Sequence, residues 1–342
     1  MNLRSKISPT LRMARDLGMP ASAEPVTYLT AYCRRLIDRW VHDFTPQSLR
    51  ELLNTVAAKI GVIIEEVHDN RDLIEISDRY LSQGEGTFAR ITSELDQRTF
   101  ALAIRLRRSR NGCTHVAVID CRGAKYARRW FSMWHEIVHL MPNPQLELDF
   151  RRTTAETKDP VEVMIDKIAG ELAFYSPMYD SPTLSDPRVC FRDLETHRER
   201  LSPEASRESS YATIISRMQR PALFLVAALA LKASEERALR THRLGDPRPT
   251  PKLRVIRTVA SDSARRAGLF IPHKYRVPPA SIIYRLFNGE VEAASGTLRK
   301  IENLNQWEDS QGRRLPNVPL LVEAMRNGDQ VIFALITTSE PN

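Results

Sequence analysis

The chain has little of what builds fibrous, low-complexity or disulfide-stapled proteins. Its 342 residues hold 13 glycines, 21 prolines and 4 cysteines. So little glycine and proline excludes collagen-like and Pro/Gly-rich classes. Cys33, Cys113, Cys121 and Cys190 are scattered, with no Cys-x-x-Cys pair. That argues against a cysteine zinc ribbon and a disulfide framework, and for a reducing compartment. Long apolar runs are also missing. The longest, 221–231, is far shorter than the roughly 20 residues that cross a bilayer, and it reads as a buried helix. The opening Met1-Asn2-Leu3-Arg4-Ser5-Lys6 leads into no apolar stretch of the signal-peptide kind. A cytoplasmic protein without a membrane segment is the expectation, and no internal repeat is visible.

What is present is the composition of a globular protein with a real core: 42% hydrophobic and 27% charged residues. The length suggests two or three domains at roughly 100–200 residues each. A formal net charge of +8 permits contact with nucleic acid or an acidic surface without requiring it. Two basic clusters could make a weak contact of that kind: Arg105, Arg107, Arg108 and Arg110, and then Arg237, Arg240, Arg243, Arg248, Lys252, Arg254 and Arg257. A solvated linker and strand end is the blander account of both.

The patterning along the chain is α+β. Residues 1–45 read as a helical extension, with Tyr28, Tyr32, Leu36 and Trp40 at helical spacing. A helix capped by Thr45, with Pro46 in its first turn and an apolar stripe from Leu49 to Ile60, ends at Gly61. Strands are expected at 62–67, 73–76, 87–91, 100–106 and 115–119. A helix beginning near Lys125 is stopped by Pro142 and Pro144. Helices are expected over 160–175, 190–200, 203–219 and 221–239. Residues 240–251, with Pro247, Pro249 and Pro251, read as a linker. Beyond it, strands at 253–259, 281–286 and 331–336 mark a second α+β domain. The boundaries expected are therefore 1–45, 46–182, 183–240 (a helical segment) and 252–342.

Chemistry enters at His135-Glu136-Ile137-Val138-His139. On a helix, histidines at i and i+4 lie one turn apart on one face, so both imidazoles reach a single metal ion. Zinc, Zn2+, is the default because it takes imidazole nitrogen and carboxylate oxygen in a tetrahedral shell; the same donors also suit manganese. Glu136, next to the first ligand, is the candidate general base. A catalytic site needs a third protein ligand. Glu162 opens the next helix, and Asp166 lies one turn further on the same face, where it can accept the N–H of a ligating histidine. Glu147, Asp149 and Glu171 are rival ligands. Tyr126, Tyr175 and His273 are candidate donors to a tetrahedral intermediate. Cys113 and Cys121 flank a strand and read as buried, inert thiols rather than oxidant sensors.

The segment Arg128-Arg129-Trp130-Phe131-Ser132-Met133-Trp134-His135-Glu136-Ile137-Val138-His139 resembles the active helix of the ImmA/IrrE-type metallopeptidases. Glu162, Asp166, Ile168-Ala169, Glu171-Leu172 and Pro177 resemble that family's second helix, which supplies the glutamate ligand, and Val116-Ala117-Val118-Ile119-Asp120 its preceding strand. The likeness is specific over about residues 48–177. Trp134 and Val138 stand where the family has smaller residues. The resemblance implies a zincin-like metallopeptidase domain, gluzincin-like in its ligands, and a zinc-dependent endopeptidase. It also implies a protein substrate of the helix-turn-helix repressor kind, cleaved in a stress or mobile-element response, and a C-terminal domain of GAF-like, sensory type. Two alternatives stay open: a non-proteolytic regulatory or DNA-binding protein with a structural or vestigial metal site, and the protease of a defence or toxin–antitoxin locus.

Overall fold

The computed structural model describes residues 9–141, 150–153, 159–179, 189–240, 248–293, 296–309 and 311–338. The chain divides into two compact units, Met1–Tyr179 with Glu199–Ser206, and Asp180–Arg198 with Arg207–Asn342.

The first unit opens with helices α1 (Pro9–Asp16), α2 (Pro25–Trp40) and α3 (Leu49–Ile60). The cap of α3 is Ser48, not Thr45: the Ser48 hydroxyl accepts the Glu51 N–H at 3.2 Å. Glu51 in turn accepts the Gln47 N–H at 2.7 Å, so this helix start fixes itself from both sides. Strand β1 (Val62–Val67) follows at once, then α4 (Asn70–Ser82), the short α5 (Ile91–Glu94), β2 (Thr99–Arg110) and β3 (Cys113–Asp120). The strands expected at 73–76 and 87–91 are helical. Asp69 caps α4, and Leu73, Ile76 and Tyr80 recur at helical spacing along its buried face; 86–90 is a 3₁₀ turn. A four-residue apolar run cannot tell strand from helix by itself, and here the cap decides. Helix α6 (Arg129–Leu140), β4 (Phe150–Thr153), α7 (Pro160–Leu172) and α8 (Ser176–Tyr179) complete this part of the chain.

The sheet order is β1-β3-β2-β4, with β1 parallel to β3 and the other pairs antiparallel. Alternation sorts its two faces. Val67, Leu102, Ile104, Val116 and Val118 join Leu73, Ile76, Tyr80 and Phe88 in a core on one side. The intervening Ala101, Ala103 and Ala117 are also buried, and their small side chains let α6 lie close against β2 and β3. Gly61 links α3 to this sheet. Its φ of 72° closes the helix in the left-handed region, and a Cβ there would meet the Gly112 carbonyl oxygen at 2.8 Å.

The second unit contains most of α9 (Phe191–Leu201), then α10 (Arg207–Arg217), β5 (Ala222–Ala230), α11 (Ala233–Arg240), β6 (Lys252–Ala260), α12 (Asp262–Arg266), α13 (Ile282–Phe287), β7 (Thr297–Asn303), β8 (Pro319–Arg326) and β9 (Val331–Thr338). All five strands pair antiparallel in the order β6-β5-β9-β8-β7. The apolar run expected as a helix at 221–239 is strand β5 followed by α11, so the expected helical segment 183–240 contains a sheet strand. The run carries no alternation over Ala222–Ala227 because β5 is interior and buried on both faces there. Leu223 and Leu225 enter one core, while Phe224 packs edge-on against Phe333 and Tyr211. The strand expected at 281–286 is α13, capped by the Ser281 hydroxyl. Of the expected 240–251 linker, 241–247 lie outside the described residues.

Glu195 ties helices of this unit together. It accepts from Arg198 at 3.0 Å, Arg207 at 3.0 Å and the Tyr211 hydroxyl at 2.6 Å.

Two outcomes follow. Gly61→Ala should cost about 1–3 kcal/mol through strain and the backbone contact, read as a lower denaturation midpoint for the first unit; an unchanged midpoint would show that the loop yields freely. Burial pushes the Glu195 carboxyl up, but its bonds from Arg198, Tyr211 and Arg207 prevail and hold it at about 2, against 4.5 ordinarily. A depressed pKa stabilises the fold above the unfolded value and loses that effect as the folded value is approached. The melting-temperature gap between wild type and Glu195→Gln should therefore be full above pH 4.5 and shrink towards pH 2. A gap constant across that range contradicts this.

Candidate metal centre

Helix α6 is buried almost all round, from Arg129 to Leu140 except Phe131. Its orientation is set by large anchors. The Trp130 indole N–H donates to the Ala173 carbonyl at 3.0 Å, just past the end of α7. Arg50 of α3 donates to the Met133 sulfur at 3.3 Å. Trp134 and Val138 are both fully buried, so the bulky residues at these positions serve packing. Helix α7 begins at Pro160 with the Asp159 carboxylate accepting the Val161 N–H at 2.8 Å. Its Glu162 and Asp166, one turn apart, face α6.

The two helices bring the expected ligands together. His135 Nε2 lies 3.0 Å from His139 Nε2 and 3.1 Å from Glu162 Oε2. His139 Nε2 is 3.4 Å from Glu162 Oε1. These spacings match the edges of a tetrahedral shell: donors about 2.0–2.1 Å from a zinc ion are about 3.3 Å apart. Asp166 Oδ1 is 3.1 Å from His135 Nδ1. With a cation at the centre, the Asp166 carboxylate would accept a hydrogen bond from the His135 Nδ1–H and leave the Nε2 lone pair to the metal. Burial raises the Glu162 carboxyl, yet hydrogen bonds and charge from His135 and His139 hold it at about 2; it is an anion at any working pH. The donor chemistry and spacing thus fit a divalent cation.

Exposure is uneven around the group. The His135 and His139 side chains are 1% and 2% exposed, while that of Glu162 is 32% exposed. The centre is therefore closed behind the histidines and open on the glutamate side. Glu136 is fully buried on the same helix.

Other expected residues lie elsewhere. Glu147 and Asp149 fall outside the described residues. Glu171 is largely exposed, 3.8 Å from Arg34. Tyr175 donates its hydroxyl to Asp38, and Tyr126 stacks against the Arg129 guanidinium at 3.6 Å. His273 belongs to the second unit. In the second basic cluster, Arg254 is 2% exposed and bonded to the Ala230 and Lys274 carbonyls, while Arg257 pairs with Glu208 at 2.7 Å. Neither is a free phosphate contact. One group was not foreseen: Glu66, His68 and Cys121 also bring metal-ligand atoms within 4.8 Å of one another. Its signal in the sequence was only the strand alternation of Glu66 and His68.

Asp166→Ala should weaken zinc binding by about 10–100-fold and Glu162→Ala by more, both measured by competition with a chromophoric chelator. Unchanged affinity in Glu162→Ala would move the third ligand elsewhere.

No protein-family model matches the chain, and no curated protein matches it. Among solved structures, a Mycobacterium tuberculosis transcriptional regulator is similar at 10% sequence identity and a TM-score of 0.37, over 91% of this chain and 87% of that one. A likeness that distant carries no argument about function.

Proposed function

We propose that the chain is a zinc-dependent endopeptidase that hydrolyses a peptide bond in a protein substrate. The observation that carries this reading is the convergence of His135, His139 and Glu162 at 3.0, 3.1 and 3.4 Å, with Glu136 on the helix that supplies both histidines. A purely structural site has no need of a glutamate at that position. His135 and His139 would hold zinc through Nε2 and Glu162 through its carboxylate. Bound zinc supplies Lewis acidity, which acidifies water and polarises a peptide carbonyl.

The remaining work belongs to the chain. Glu136 takes the proton of the attacking water and returns it to the leaving amine, so that neither hydroxide nor a free amide anion is formed. Asp166 keeps the His135 ring in one orientation and one tautomer. The open side at Glu162 is the approach for an extended peptide. A zincin-like reading of the first unit is supported by its small sheet with α6 and α7. A GAF-like, sensory reading of the second unit has weaker support, from its antiparallel sheet flanked by helices. The substrate class, a helix-turn-helix repressor, rests on the resemblance of the α6 and α7 segments to the ImmA/IrrE-type metallopeptidases.

The test uses full-length wild type and Glu136→Gln, each loaded with zinc and mixed with the helix-turn-helix repressor encoded nearest its gene. Glu136→Gln should retain zinc and lose at least about 100-fold in cleavage rate. Undiminished cleavage removes Glu136 from its role. Salt-sensitive DNA binding with no cleavage by wild type would favour the non-proteolytic reading.

A further inference from the structure

The parallel pairing of β1 and β3 sets Val62 against His115 and runs to Val67 against Asp120. The register continues past the strand ends, where the Cys121 N–H donates to the Val67 carbonyl at 2.8 Å. Side chains alternate across a sheet. Val67 points into the core with Leu73, Ile76 and Tyr80. Glu66 and His68 on one chain segment and Cys121 on the other therefore leave by the opposite face, together, at the carboxyl ends of two parallel strands.

Glu66 is the hub. Its Oε2 lies 3.8 Å from Cys121 Sγ and 3.9 Å from His68 Nε2. A tetrahedral zinc shell with a bond of about 2.3 Å to sulfur and about 2.0 Å to nitrogen and oxygen has edges of about 3.3–3.5 Å. The two edges at Glu66 close by about 0.3–0.6 Å, and the third, between His68 and Cys121, starts from within 4.8 Å. Cys121 is 3% exposed and fixed in place. Glu66 is held by Arg50, whose Nη2 donates to Oε1 at 2.7 Å and leaves Oε2 facing the other two. His68 supplies the slack: its side chain is 54% exposed and lies beyond the strand end.

We propose that Glu66, His68 and Cys121 form a second site for a divalent transition-metal cation, zinc by the softness of its donors, distinct from the His135, His139 and Glu162 centre. One carboxylate, one imidazole and one thiolate make a borderline-soft set that excludes magnesium and calcium as natural occupants. Without a cation, burial and then the Glu66 charge push the Cys121 thiol up to about 12, despite the opposing Arg129 charge. That rules out a reactive thiolate at rest. A cation entering the group displaces the thiol proton and offsets the repulsion between the thiolate so formed and the Glu66 carboxylate. Three protein ligands with His68 at the solvent edge leave a fourth position open, so the site can exchange its metal or take a small ligand. The proposal does not depend on the peptidase reading.

Cobalt substitution of the full-length protein tests it, because the other centre contains no sulfur. Added Co2+ should give a near-ultraviolet thiolate-to-cobalt charge-transfer band, saturating at one equivalent per chain once the other centre is removed. The band should persist in a His135→Ala/His139→Ala double variant, which separates it from any failure of the peptidase reading. It should vanish in Cys121→Ser, and His68→Ala should weaken cobalt binding at least about tenfold. His68→Ala alters an exposed side chain, so it remains informative if Cys121→Ser does not fold. The proposal is overturned by absence of the band in wild type, by an unchanged band in folded Cys121→Ser, or by unchanged cobalt affinity in His68→Ala.

Discussion

His135 is gripped at both ends of its imidazole. Asp166 takes Nδ1 at 3.1 Å, and Nε2 meets Glu162 at 3.1 Å and His139 at 3.0 Å. All of this depends on the packing of α6 against α7, since Asp166 and Glu162 lie on one helix and the histidines on the other. Trp130 sets that packing. Its hydrogen bond to the Ala173 carbonyl contributes about 1 kcal/mol net, whereas truncating a buried tryptophan costs about 3–5 kcal/mol. The indole body therefore locks the helices, and the N–H selects the register. Behind α6, alanines on β2 and β3 bring the sheet close. The arrangement of His135, His139 and Glu162 thus rests on apolar packing several residues away from them.

Collecting two imidazoles and a carboxylate in one place is favourable only with a positive charge among them. The structure meets part of that need with hydrogen bonds that hold Glu162 at about 2. The Glu66 group is the reverse case: its thiol is pushed up to about 12, so proton and cation compete for the same sulfur. Two unit negative charges about 4 Å apart repel by about 4 kcal/mol at an effective dielectric constant of about 20. Burial first, and then this repulsion, keep Cys121 a thiol in the absence of a cation. The donors of the α6–α7 group already lie 3.0–3.4 Å apart, whereas those of the strand-end group lie within 4.8 Å of one another.

The grouping of the first candidate centre was legible in the sequence because it follows helical arithmetic. His135 and His139 one turn apart, and Glu162 and Asp166 one turn apart, need no knowledge of the fold beyond two helices. The packing of those two helices on each other was not legible from spacing, because it depends on tertiary contacts such as Trp130 with the Ala173 carbonyl. Errors occurred where local pattern and tertiary context compete. Residues 73–76 and 281–286 are short apolar runs that a cap turns into helix. Residues 222–227 carry no alternation, because an interior strand buried on both faces needs none. The Glu66, His68 and Cys121 group was hidden for another reason: it depends on the register between β1 and β3, which no single segment encodes.

Arg50 connects the two groups. Its guanidinium donates to Glu66 at 2.7 Å and to the Met133 sulfur at 3.3 Å, and Met133 sits on α6 ahead of His135. Glu66 is thereby held by α3, and α6 shares the same anchor. The same arginine thus touches both the strand-end group and the helix that carries both histidines. The path is short, made of two direct contacts, and every residue in it except Glu66 lies outside both sets of candidate ligands.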